Sequence, residues 1–426
     1  MNRRETLQAL AYAAALPALA ACYTPPHLLN PTQSSAPNAN EPPALAREFR
    51  AAWVASVANI DWPSKSGLSV SALKEEITRI VALAASLKLN ALIVQVRPAG
   101  DALYASALEP WSEYLSGEQG RAPEGGFDPL MFWIETARVR GIGIHAWFNP
   151  YRAQHTSAKT PLHPLHLARR VPAAIVKYGD MLWMDPAHPA AREHALAVIA
   201  DVVRRYDVEG VHVDDYFYPY PIETTAADGK KADLPFPDEA SWSAYVLRGG
   251  NLNRADWRRT HVDTFVEQLY ATVKREKKWV RVGISPFGIG RPNRRPAGIT
   301  GFSQFDKLYA DVEKWLDKGW LDYCAPQLYW PIAQKEQAFE ALLQYWISQN
   351  KQGRHMWPGL YTSRVGEAWP AEEIANQVDL VRKYPQANGH IHFSMKALME
   401  NRGGVADLLR ARSWGTAVVP EAGWLK

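Results

Sequence analysis

From residue 48 onward, apolar runs of strand length alternate with stretches whose apolar positions recur every three or four residues. The runs fall at 50–57, 91–97, 142–150, 208–215, 280–287, 321–330, 356–362 and 389–395. Short apolar runs predict strands buried on both faces, and the longer period predicts helices packed on them. Leu73, Ile77, Ile80, Val81, Ala84 and Leu87 trace one such helical stripe. Asp128-Pro129 joins an N-cap residue to a proline at the first helical position, and Gly141 stands where that helix ends. Eight strand–helix alternations predict an α/β fold of the (β/α)8 TIM-barrel type, with a doubly wound sheet as the competing arrangement. No glycine-rich phosphate loop follows the first strand, so no nucleotide site is predicted. The third and fourth units are longer than the rest. Their extra chain, about 153–182 and 219–260, falls in βα loops on the face where barrel enzymes carry their sites.

Alternation along the strands gathers polar residues on one side. Gln95 and Arg97 share a side in strand two, opposite Leu92, Val94 and Val96. His145, Trp147 and Asn149 share one in strand three, and His212 and Asp214 in strand four. Gln327 and Tyr329 share one in strand six, as do His390, His392 and Ser394 in strand eight. A closed barrel would aim these sides at a common point. For the histidines at 145, 212 and 390, mutual satisfaction inside the barrel is the expected role. The run from Val208 to Pro219 ends its strand in Asp214-Asp215 and continues into Tyr216, Phe217 and Tyr218. Two carboxylates beside aromatic rings suit a sugar: acids serve the anomeric centre, and rings pack on pyranose faces. The plainer reading is a pair of aspartates capping a turn.

Composition adds an address. Met1-Asn2-Arg3-Arg4 precedes an Ala-rich, mildly apolar stretch to Ala21, which predicts a secretory signal over 1–21 of the twin-arginine or Sec kind. That stretch is too short and too interrupted to span a membrane. Leu19-Ala20-Ala21-Cys22 resembles a lipobox, which makes Cys22 the expected lipidated N-terminus. The absence of aspartate after it points to the outer membrane, facing the periplasm. Residues 22–47 are rich in Pro, Ser and Asn and read as an extended linker, leaving a single domain over 48–426. With only two cysteines, Cys22 and Cys324, there is no disulfide framework. The net charge of +4 does not argue for nucleic acid.

Six blocks carry a family resemblance. They are Ala51-Ala52-Trp53-Val54-Ala55, the stretch from Gln95 to Tyr104, His145 to Arg152, Gly210 to Tyr216, Gly283 to Gly288, and Ala325-Pro326-Gln327-Leu328-Tyr329-Trp330. In this order they resemble the glycosyl-hydrolase-like ten family over about residues 48–400. The resemblance implies a (β/α)8 barrel, often in a lipoprotein. It implies a glycoside hydrolase of the division-associated branch, acting on peptidoglycan glycan strands whose stem peptides have been removed. The implied partners are the glycan strand, the membrane through the lipid anchor, and division-site proteins.

Asp214 is the first catalytic candidate and Asp215 its neighbour, brought round as the strand turns into a loop. In a substrate-assisted scheme one would orient the 2-acetamido group and the other protonate the leaving oxygen. Close like charges raise the pKa of one member, which suits an acid. A distant second carboxylate is the competing scheme, with Asp311 and Asp101 as candidates and Glu109 also in a loop. Strands five to eight present Ser285, Gln327, Tyr361 and Ser394 at their tips instead.

Substrate contacts are expected from Trp53, Gln95, Arg97, Trp147, Asn149, Tyr216, Tyr218, Ser285, Gln327, Tyr329 and Trp330, with Trp62 as a further ring platform. Arg97 is the candidate for gripping a sugar carboxylate as a fork, and Arg291, Arg294 and Arg295 form a second basic group. His163 and His166 lack a matching ligand set, so neither metal nor cofactor is predicted. A carbohydrate deacetylase is disfavoured for the same reason. A non-catalytic glycan-binding lipoprotein, or a glycosidase acting on another polysaccharide, remains the alternative.

Overall fold

The computed structural model describes residues 46–225, 229–412 and 415–425. The expected signal, Cys22 and the linker as far as residue 45 lie outside the described residues. Eight parallel staves form the centre: β1 (Phe49–Val54), β2 (Ala91–Arg97), β3 (Gly143–Phe148), β4 (Gly210–Val213), β5 (Arg281–Ile284), β6 (Tyr323–Cys324), β7 in two segments (His355–Met356 and Gly359–Leu360), and β8 (Gly389–His392). Each pairs with the next, and β8 returns to β1. The first segment of β7 pairs with β6 and the second with β8. The sheet therefore closes into a barrel, which excludes the doubly wound arrangement.

A helix follows every stave: α1 (Val70–Ser86), α2 (Pro129–Arg138), α3 (Pro189–Arg205), α4 (Arg254–Glu276), α5 (Val312–Lys318), α6 (Phe339–Gln349), α7 (Ala371–Val381) and α8 (Val405–Arg412). In α1 the residues of the apolar stripe from Leu73 to Ala84 are buried, and the Ser69 side chain accepts from the Ala72 N–H at its start. Asp128 caps α2 by accepting from the Met131 N–H, and Gly141 just beyond it takes φ 67°.

Several staves are shorter than their apolar runs. Pro286, Pro326 and Pro358 follow or interrupt β5, β6 and β7, and proline has no N–H to give to a ladder. Leu92, Val94 and Val96 face the helices, whereas Ala91 and Ile93 face inward with Phe49, Trp53, Trp147 and Tyr323. Gly283 is needed in this interior. A Cβ there would lie 1.8 Å from the Tyr323 ring, whose hydroxyl sits 2.9 Å from Nδ1 of both His145 and His212.

Stave eight corrects one expectation. Gly389 pairs with Phe49 and Ile391 with Ala51, so it is Ile391 that joins the inward cluster. His390 and His392 face the helix layer. Nδ1 of His392 lies 2.9 Å from the Thr362 hydroxyl, and Nδ1 of His390 lies 3.6 Å from Glu48. Ser394 donates to Asp61 at 2.6 Å.

The long βα loops carry structure of their own. After β3, Arg152–Gln154, Met181–Met184 and Ile175–Tyr178 form a small antiparallel sheet. After β4 come a ribbon of Glu223–Thr225 with Lys231–Asp233 and a helix, Glu239–Leu247. At the opposite pole, Ala46–Arg47 pairs in parallel with Ala417–Val418, so the fold begins two residues inside the expected linker. The tail then crosses the barrel floor. Ala417 O accepts from Asn90 Nδ2 at 3.2 Å, Pro420 O from Arg281 Nη2 at 3.3 Å, and Trp424 Nε1 donates to Asp322 at 2.8 Å.

Candidate active site

β4 stops at Val213, one residue before the aspartates. Freed from strand alternation, Asp214 and Asp215 both line one cavity of about 290 Å³ at the C-terminal ends of the staves. Of the residues expected to meet substrate, Trp53, Gln95, Trp147, Tyr216, Ser285, Gln327 and Tyr329 line this cavity. Arg152, His155, His212, Tyr220 and Phe393 line it without having been singled out for a substrate role. Among the described residues of that lining, Asp214 and Asp215 are the only carboxylates.

The two aspartates are held differently. Asp214 accepts from Trp147 Nε1 at 3.0 Å and from Asn149 Nδ2 at 3.3 Å and 3.4 Å. It also accepts from the Tyr216 N–H at 3.3 Å, so the turn-capping role holds as well. Burial pushes its pKa up, while Arg152, Trp147 and Asn149 favour the charged form. Asp215 accepts from the Tyr220 hydroxyl, and the nearby Gln327 amide favours its charged form. Burial, with the Asp214 charge adding to it, raises Asp215 to about 7. A neighbouring pair thus divides into a carboxylate surrounded by donors and a carboxyl that keeps its proton near neutrality.

The wall is aromatic and polar by turns. Trp53 Nε1 donates to His212 Nε2 at 3.1 Å. His212 therefore carries its proton on Nδ1 and donates to Tyr323, which in turn donates to His145. Burial holds His212 down at about 3 and His145 well below its ordinary value, so both stay neutral. Gln95 Oε1 accepts from the Ser56 and Val57 N–H groups at 3.0 Å and 2.9 Å, while its Nε2 has no partner among the described residues. Gln327 Nε2 donates to Ser285 O at 3.1 Å. Tyr329 stacks on Tyr361 with centroids 4.7 Å apart.

Other expected contacts lie elsewhere. Arg97 is 0% exposed and forks onto Glu109 through Nε and Nη2, at 2.8 Å and 2.5 Å. Its Nη1 donates to the carbonyls of Asn149 and Pro150 at 2.5 Å and 3.1 Å. It sets the backbone behind Asn149 and does not meet the cavity. Asn149 itself is buried and acts through Asp214. Burial pushes Glu109 up, yet Arg97 and His194 hold it down at about 2.

The candidates for a distant acid are also displaced. Asp101 is buried beside this pair, accepting from the Ala99 N–H at 3.1 Å and raised to about 7 by burial. Asp311 caps α5 and pairs with Arg291. Arg295 donates to the Gly290, Gly301 and Phe302 carbonyls, and Arg294 is exposed. Tyr218 packs on Phe236 and Tyr309 in a separate depression of about 220 Å³. Trp62 packs edge-on against Trp133, and Trp330 against Phe287. The His166 ring bonds to the Ala153 carbonyl at 3.0 Å, and His163 Nδ1 accepts from the Leu165 N–H.

Comparison with known proteins gives a consistent picture. The chain matches the family described as glycosyl hydrolase-like 10 over residues 48–375. It is 40% identical to glycosyl hydrolase YngK of Bacillus subtilis (strain 168) over 393 residues, which cover 89% of this chain and 74% of that one. It is 30% identical to glycosyl hydrolase DigH of Escherichia coli (strain K12), covering 97% of this chain and 99% of that one. In fold it is similar to the PgaB (BpsB) glycoside hydrolase domain from Bordetella bronchiseptica, with a TM-score of 0.54 and 13% identity over 86% of this chain and 98% of that one. It is also similar to the catalytic domain of a beta-amylase from Paenibacillus polymyxa, with a TM-score of 0.54 and 13% identity over 87% of this chain and all of that one.

Proposed function

The chain belongs to the glycosyl hydrolase-like 10 family and is a glycoside hydrolase, and on that premise we propose that it cuts peptidoglycan glycan strands lacking stem peptides. The observation that carries the reading is the pair of adjacent aspartates, differently held, at the base of a ring-lined cavity. In this reading Asp215, raised to about 7, gives its proton to the leaving glycosidic oxygen. Asp214, surrounded by donors, stays charged and orients the sugar's 2-acetamido group. The acetamido carbonyl oxygen attacks the anomeric carbon, and water then opens the cyclic intermediate. The absence of any further carboxylate among the described lining residues favours this route over one needing a distant second acid. Trp53, Trp147, Tyr216 and Tyr329 supply faces for the pyranose rings.

The test is digestion of purified glycan strands with and without stem peptides, with products identified by mass and reducing end. Fragments are expected from the stripped strands alone. Equal release from both kinds of strand removes the stem-peptide selectivity. Release from neither favours another polysaccharide or the glycan-binding alternative.

The proposal extends to location. Leu19-Ala20-Ala21-Cys22 supports a lipid anchor at Cys22, with the enzyme held at the outer membrane among division-site partners. Cells fed a labelled fatty acid should transfer label to the full chain and none to Cys22→Ser. Label persisting in that variant rejects the anchor.

A further inference from the structure

Arginines in this fold are compensated in a recurring way. Arg97, Arg258 and Arg382 each turn the edge formed by Nε and Nη2 toward one carboxylate, that of Glu109, Asp238 and Glu48 respectively. Arg152 departs from this pattern. It is 4% exposed and stands in the cavity wall. Its Nη1 donates to Pro98 O at 3.1 Å, and its guanidinium lies 4.6 Å from the Tyr216 ring centroid and 5.9 Å from that of Trp183. Its Nε is buried and has no hydrogen-bond partner among the described residues. Among the described residues it forms no ion pair with a carboxylate, and its influence on Asp214 is exerted at longer range. Beside it His155 is held neutral, down at about 4, by burial and the Arg152 charge. A buried cation lacking its anion is costly. Here that cation is fixed by two rings and one carbonyl, on the wall of the space a substrate must enter.

We propose that Arg152 is the specificity residue for a carboxylate carried by the sugar chain, taken through the guanidinium where it lines the cavity. The inference rests on the reading of this chain as a cell-wall glycosidase. In that setting the carboxylate is the lactyl ether group of a muramoyl residue. It is a free anion when the stem peptide is gone and a neutral amide when the peptide is attached. A guanidinium fork rewards the first and leaves its own charge unmatched by the second. Arg152 thereby supplies a charge-based reason for preferring stripped strands, and it sets the muramoyl residue beside Asp214.

The test uses the full chain and two probes. One is a peptide-free glycan oligosaccharide with its carboxylates intact. The other is the same oligosaccharide after chemical reduction of those groups to alcohols. Binding is measured by calorimetry on an Asp215→Asn background, so that nothing is cut. The intact probe should bind about 10- to 100-fold tighter than the reduced one. Adding Arg152→Gln should bring the two within about twofold of each other. General damage to the cavity weakens both probes alike and leaves their ratio unchanged, so an unchanged ratio overturns the proposal. Equal binding of the two probes by the Asp215→Asn chain overturns it as well. Should Arg152→Gln fail to fold, Arg152→Lys keeps the charge and loses the fork. It is expected to narrow the ratio to a few-fold, and an undiminished ratio again refutes the assignment. A preference for the intact probe in a chain that cuts no glycan would leave this site standing and remove the hydrolase reading instead.

Discussion

Asp215→Asn is expected to lower kcat on stripped glycan by about 10³-fold or more, with fold and glycan binding retained. The amide cannot deliver a proton to a leaving oxygen, yet it is close in shape and can still accept from Tyr220. The pH profile gives a second readout. The protonated carboxyl is the working form, and Asp215 is raised to about 7. Raising the pH through that value removes the acid, so kcat/KM of the unmodified enzyme should fall about tenfold per unit above it. The residual activity of Asp215→Asn should lack that limb.

Asp214→Asn is also expected to cost orders of magnitude, with a different signature. The Asp214 charge helps to hold Asp215 up, so removing it lets the Asp215 pKa drop. The alkaline limb of the residual activity should then move to lower pH. Steady-state rates across pH for the three proteins decide the matter. Near-normal turnover in both variants would reject the pair as the catalytic centre.

Arg97→Met should destabilise the fold by about 3–5 kcal/mol. The reason is the charge left behind. Glu109 is buried, and without Arg97 its carboxylate keeps, among the described residues, His194 at 2.8 Å. With Arg97 present Glu109 is held at about 2, below its unfolded value. It therefore contributes stability above the ordinary carboxylate pKa, and that contribution is lost as the pH falls toward about 2. In Arg97→Met the Glu109 pKa should climb toward and past its unfolded value, so the acid-side loss contributed by this group should shrink and then reverse, and the deficit should be largest near neutral pH. The double variant Arg97→Met/Glu109→Met should recover much of the deficit, because removing both charges leaves no buried ion unpaired. Urea unfolding of the unmodified protein, Arg97→Met, Glu109→Met and the double variant measures the coupling. A raised KM with unchanged stability would instead return Arg97 to the substrate site.

The contrast between Arg97 and Arg152 shows how far the chain could be read without coordinates. The helix start at Asp128, the stripe from Leu73 to Ala84 and the eight strand runs obey local rules, and the fold results from them. The facing of β8 does not. A run of alternating residues has two faces, and only the pairing of Gly389 with Phe49 decides that Ile391 looks inward and the histidines outward.

Arg97 has the right parity and the right chemistry, but Glu109, a loop residue twelve positions on, takes its fork. Arg152 begins the small sheet after β3, where no period constrains side-chain direction. Tyr220 is hidden in the same way, in an aromatic run whose members divide between cavity and core. The aspartate pair is expected on a strand tip; the strand ends earlier, at Val213, and both residues line the cavity from just beyond it.

The pairing of Ala46–Arg47 with Ala417–Val418 sets the geometry of attachment. The folded unit is entered beneath the barrel floor and its tail runs across that floor, both at the pole opposite Asp214 and Asp215. A leash, a fusion partner or a solid support joined through either end leaves the cavity mouth turned away from the point of attachment. A polymer far longer than the enzyme is wide can then be gripped along its length, with no need to thread past the anchorage.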